Sequence, residues 1–124
     1  MIKVYVAGPL SMSGQAGANY DGICKAIRHA IDVGSQLMHL GFAPFVPHYS
    51  HFGNLFHYHT WEQWMAIDKA WISVSDALLR LEGPSRGADQ EVIWAQQMGK
   101  PVFTSIDALK THYGVGVHDA VANS

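Results

Sequence analysis

Ile2-Lys3-Val4-Tyr5-Val6-Ala7-Gly8-Pro9 is a run of β-branched and aromatic residues halted by a glycine and a proline. Such a run suits a strand buried on both faces that ends in a loop. Beyond it, residues 18–40 place Ile23, Ile27, Ile31 and Met38 at helical spacing, and Gly41 stands where a left-handed residue commonly closes a helix. Residues 42–46 read as a second short strand stopped by Pro47, and residues 60–73 as a helix with Thr60 as N-cap and Trp61, Trp64, Met65, Trp71 and Ile72 on one stripe. A third strand over 76–82 follows. After the turn Gly83-Pro84-Ser85-Arg86-Gly87 comes a helix over 88–99 with Val92, Ala95 and Met98 inward, then a fourth strand over 101–104 and a last helix over 106–112.

Strands and helices alternating in this way imply right-handed crossovers and a single-domain, flavodoxin-like (Rossmann-like) α/β sandwich of three layers around a mainly parallel sheet. The expected division is an α/β domain over residues 1–113 and a carboxy-terminal tail over 114–124. Ligands of such sheets bind beyond the carboxyl ends of the strands. Three segments open onto that edge: Gly8-Pro9, the histidine-rich stretch from His48 to His59, and Ser85-Arg86-Gly87.

Composition narrows the partners. A chain of 124 residues with 48% hydrophobic and 15% charged residues has room for one core. Its formal net charge is -2 and its eight Lys and Arg are scattered, so a polymeric nucleic acid is not an expected partner. The single Cys24 excludes an intrachain disulfide and a zinc site built on cysteine pairs. The apolar amino terminus is too short for a signal sequence, and no stretch approaches the ~20 apolar residues of a membrane span. The expectation is a cytoplasmic protein with no membrane partner, and the low charge points to surface covered in a homo-oligomer.

Two acids stand out. Asp68 lies four residues after Trp64 and four before Ile72, in the middle of an apolar stripe; Glu91 lies three before Trp94 and four before Ala95. Inward carboxylates pair, protonate or serve a function, because an unpaired buried charge is costly. The plain reading makes each a loop cap or a partner of Tyr5 or a backbone amide, and Tyr5 itself an ordinary core residue. The functional reading makes them a trio for glycosidic cleavage: one carboxylate attacks an anomeric carbon while the other group protonates the departing base, burial and repulsion having separated their pKa values. By analogy with retaining glycosidases, carboxyls about 5–5.5 Å apart would favour a covalent glycosyl-enzyme.

Ser85-Arg86-Gly87 opens a helix, so its amides, hydroxyl and guanidinium form a natural anion site suited to phosphate; the alternative is a simple N-cap with a surface arginine. The loop with Gly14 and Gly17 lacks a following Lys-Ser or Lys-Thr and is not read as a phosphate cradle. His48, His51, His57 and His59 either line a substrate pocket, with His48 the expected contact, or cap the loop, or ligate a transition metal; their spacing fits no helical metal motif, and no metal is expected.

Val4-Tyr5-Val6-Ala7-Gly8-Pro9, the helix from Trp64-Met65 through Asp68 to Trp71, and Ser75-Asp76-Ala77 through Ser85-Arg86-Gly87 to Glu91 and Gly99-Lys100-Pro101-Val102 occur in an order that resembles the nucleoside 2-deoxyribosyltransferase superfamily, including its 2'-deoxynucleoside 5'-monophosphate N-glycosidase branch. The resemblance covers roughly residues 2 to 105. Pro47-His48-Tyr49-Ser50-His51 and Leu79-Arg80-Leu81-Glu82-Gly83 resemble a group of phage or prophage type within it. The resemblance implies Glu91 as nucleophile, Asp68 as the acid near the base, Tyr5 as the hydroxyl that orients them, and no cofactor. It also implies that Ser85, where the transferases carry an aspartate and the nucleotide hydrolases a serine, favours a 5'-monophosphate, with Gly8, Arg86, Gly87 and His48 as further substrate contacts. Transferases of this family complete their sites with a neighbouring subunit's carboxy-terminal segment; the tail here offers Asn123. The expected activity is cleavage of the N-glycosidic bond of (deoxy)nucleoside 5'-monophosphates. Base exchange on free nucleosides and non-catalytic nucleotide sensing are the alternatives.

Overall fold

The computed structural model describes residues 1–10 and 20–115; the loop with Gly14 and Gly17 and the end of the tail with Asn123 lie outside them. The chain runs β1 (Lys3–Ala7), α1 (Tyr20–His39), β2 (Ala43–Phe45), α2 (Pro47–His51), a 3-10 helix (Phe52–Leu55), α3 (Trp61–Ser73), β3 (Ala77–Arg80), α4 (Arg86–Gln97), β4 (Val102–Phe103) and α5 (Ile106–Tyr113). The four strands form an all-parallel sheet in the order β2-β1-β3-β4, a flavodoxin-like arrangement.

The pleat of β1 explains the layers. Val4 and Val6 point to one face, into a core with Ala30, Val33 and Leu37 of α1 and Leu109 of α5. Tyr5 and Ala7 point to the other, where Ile72 of α3 and Ala88 and Ala95 of α4 pack. Both faces of the strand are therefore dry, as a near-continuous apolar run requires. Asp68 and Glu91 ride on the two helices of the second face, beside Tyr5.

Helix ends follow local chemistry. Thr60 accepts from the Gln63 amide at 3.1 Å while the Gln63 side chain takes the Thr60 amide at 2.8 Å, a reciprocal capping box. Ser85 caps α4 and Ser105 caps α5 in the simpler one-sided way. Gly41 has φ 90°, the left-handed position expected after α1.

Three expectations need correction. Among the described side chains of α1 the fully buried residues are Ala30, Val33, Gly34 and Leu37, with Ile27 and Ile31 half-buried, while Met38 is 67% exposed; small residues allow the helix to sit close to the sheet, and bulk alone misplaced Met38. In α3 the inward line is Met65, Asp68 and Ile72, with Trp61 and Trp71 on its flanks and about half exposed. The histidine-rich stretch is not a bare loop: Pro47, read as a strand stop, also opens α2 at a position where its missing N–H costs nothing.

The strand order reverses between β1 and β3, and this crevice is the switch point at which ligands of such sheets bind. Gly8 is required there. A β-carbon on it would stand 2.9 Å from Leu81 Cβ, so only glycine lets the end of β1 pass the chain leaving β3. Among the described residues no helix is long and apolar enough to cross a membrane.

Candidate functional site

The Tyr5 hydroxyl, from the middle of β1, donates to Glu91 Oε2 at 2.7 Å. Both groups are buried, as is Asp68 across from them on α3. Burial is the largest influence on Glu91 and lifts its pKa to about 9, with repulsion from Asp68 adding to the rise and the Tyr5 hydrogen bond and Arg80 opposing it. Burial, reinforced by the charges of Glu91 and Asp68, likewise pushes the Tyr5 hydroxyl far up, so it stays a donor. Buried beside Asp68, Glu91 therefore favours its protonated form near neutral pH. Asp68 Oδ1 is buried without a hydrogen-bond partner among the described residues. An acid that keeps an uncommitted oxygen in such a pocket is equipped to meet a ligand.

The histidines disperse. His48 is buried, and its Nε2 lies 2.9 Å from the Pro9 carbonyl, to which it donates. Its Nδ1 is then a bare acceptor with no partner among the described residues, and burial lowers its pKa, which favours the neutral ring. His51 Nε2 lies 3.3 Å from Asp68 Oδ2, and its ring stacks on Trp64. His57 and His59 are exposed. Among the described residues no three His, Cys, Asp or Glu side chains gather as a metal site.

At the start of α4, Ser85 Oγ accepts from the Ala88 amide at 3.1 Å, so the plain N-cap reading holds; its own proton is still available to an anion. The exposed Arg86 guanidinium lies 5.0 Å from the Trp61 ring centroid, a cation–π contact, rather than in an ion pair. A β-carbon on Gly87 would make ordinary contact with Met65 Sδ at 3.5 Å, so the turn packs directly on α3. At about 1.5 Å per helical residue, Ser85 stands ~9 Å along the axis from Glu91.

Sequence reasoning had assigned no role to Arg80. From the end of β3 it donates to the Leu81 carbonyl, to the Gly83 carbonyl at 3.0 Å and to Asp89 at 2.9 Å, tying the turn before α4 to the first turn of that helix. A cation leaving a strand two residues before a glycine turn was the available signal. An open groove of about 210 Å³, lined by Gly34, Met38, Pro44, Phe45, Val46, Tyr49 and Ser50, runs along the outer edge of β2. It holds neither acid.

The fold and the buried acid pair define an α/β protein with a strand-edge site. A solved structure of a 2-deoxyribosyltransferase from Bacillus psychrosaccharolyticus, described as a biocatalyst for synthesis of antiviral and antitumoral nucleosides, is similar with a TM-score of 0.60. The two share 19% identity, over 84% of this chain and 75% of that one, a likeness that establishes a common fold. The chain belongs to the family described as Domain of unknown function (DUF4406), which matches residues 2–104. No curated protein matches it.

Proposed function

We propose that the protein cleaves the N-glycosidic bond of (deoxy)nucleoside 5'-monophosphates, with Glu91 as nucleophile. The observation that carries this reading is the buried Tyr5–Glu91 hydrogen bond beside Asp68, whose Oδ1 has no hydrogen-bond partner among the described residues. The proton that burial keeps on Glu91 passes to Asp68 as substrate binds; a Glu91 oxygen then attacks C1' of the sugar, the C1'–N bond breaks, and its electron pair leaves on the base, which takes that proton from Asp68. Tyr5, donating to Glu91, holds the attacking carboxylate in place. Water then attacks C1', the bond to Glu91 breaks, and the water proton returns to Asp68, leaving free base and sugar phosphate. Ser85, Arg86 and the amides of the α4 terminus bind the phosphate, Gly8 and Gly87 let backbone approach it, and His48 Nδ1 accepts a hydrogen bond from the substrate.

The second reading, base exchange on free nucleosides, draws on the solved transferase of the same fold. A second base in place of water would give transfer from the same intermediate. Incubation with nucleosides and nucleoside monophosphates, with and without an acceptor base, followed by chromatography of free base, separates the two. Release from monophosphates without acceptor supports the hydrolase; product only when acceptor is present supports exchange; no product from either rejects both.

A further inference from the structure

The histidine-rich segment is built to present one imidazole to one acid. His51, at the end of α2, stacks on Trp64 with ring centroids 4.4 Å apart and planes 28° from parallel. The Trp64 indole is itself fixed, its Nε1 donating to Asn54 Oδ1 at 2.8 Å, and the same oxygen accepts the His59 amide at 2.8 Å. Held in this way, His51 Nε2 stands 3.3 Å from Asp68 Oδ2, with the two side chains only 13% and 4% exposed. The contact is one of distance between a ring nitrogen and a carboxyl oxygen, since Nε2 makes no hydrogen bond of regular geometry among the described residues.

We infer that His51 is the positioning residue of Asp68: it stands against Oδ2 so that Oδ1 is left for the ligand. The inference rests on the glycosidic reading of the site. A buried carboxyl with two equivalent oxygens is free to turn, and a stacked ring on one side removes that freedom. The other titratable groups around this contact are Glu91 on α4 and Tyr5 on β1, which act on Asp68 from across the pocket, and His48 on α2, held neutral. His59 meets the opposite partner, lying edge-on to Trp64 at 5.7 Å.

Two variants separate positioning from packing. His51→Phe keeps the stack on Trp64 and removes the nitrogen; His51→Gln gives up the ring and keeps an N–H of similar reach. In steady-state base release across pH, His51→Phe is expected to lower kcat ~10–100-fold with little change in KM, the usual effect of losing such a partner. His51→Gln should recover most of kcat. Wild-type kcat in His51→Phe, or a kcat in His51→Gln as low as that of His51→Phe, would overturn the inference while leaving the reaction intact. Imidazole 15N resonances report without turnover: the His51 Nε2 signal should move in Asp68→Asn and stay in His59→Gln. A signal indifferent to Asp68→Asn also overturns it. Coupled resonances in a protein that releases no base would instead reject the proposed reaction and retain His51 as the residue that orients Asp68.

Discussion

Tyr5 and Glu91, 86 positions apart in the chain, are joined by a 2.7 Å hydrogen bond in which the phenol donates to the carboxylate. The bond favours ionised Glu91 against burial and against the charge of Asp68. A hydrogen bond to a charged group contributes about 1.5–3 kcal/mol, so Tyr5→Phe should lower kcat by roughly 10–100-fold. Glu91 is then harder to ionise, and the acidic limb of the rate profile should move to higher pH. A limb that stays in place would show that Tyr5 does not act on Glu91.

The same burial makes a stability prediction. The pKa of Glu91 is raised in the fold from 4.5 to about 9, so its contribution is fully present below the lower value and lost as pH rises through the higher. Wild-type stability should therefore decline between about pH 5 and 9, and Glu91→Gln should be free of that part of the decline. Thermal melts at both ends test it. Each ~1 kcal/mol relieved raises Tm by roughly 4–8 °C for a domain of this size, and equal slopes for the two proteins would contradict the assignment.

Ser85 carries two separable jobs. Ser85→Ala removes the cap of α4 and should cost ~1 kcal/mol of stability. Ser85→Asp retains a capping oxygen but brings a negative charge to the phosphate position. Its kcat/KM on monophosphates should fall at least ~10-fold more than on free nucleosides, the scale of one unfavourable charge contact near a surface. Equal losses on both substrates would remove phosphate from this turn.

Gly8→Ala should be destabilising by about 1–3 kcal/mol, because the new methyl meets Leu81 Cβ at 2.9 Å and a strand end must shift. Chemical denaturation measures it, and an unchanged midpoint would mean that the β1 and β3 exits are not packed as described.

The alternation of strands and helices was legible because each strand is a short apolar run bounded by glycine or proline, and each of α3, α4 and α5 begins at a Ser or Thr cap. Asp68 and Glu91 were legible for a related reason: a carboxylate at an inward helical position breaks the pattern and announces itself. Met38 and Trp71 misled because hydrophobicity marks what prefers burial, while Gly34 and Ala30 mark where a helix can come close. The approach of His51 to Asp68, and of Arg80 to Gly83 and Asp89, depends on how α2 meets α3 and how β3 meets α4. Contacts between elements leave no period in the chain, so those residues emerged only from the fold.

The nucleophile is tested most directly by mass spectrometry of protein mixed with a deoxynucleoside monophosphate, quenched in acid within the first turnover and digested. A sugar phosphate carried by the peptide containing Glu91, and absent from Glu91→Gln, is the expected result. Rapid release of base with no modified peptide, or undiminished release by the Glu91→Gln protein, would contradict the account.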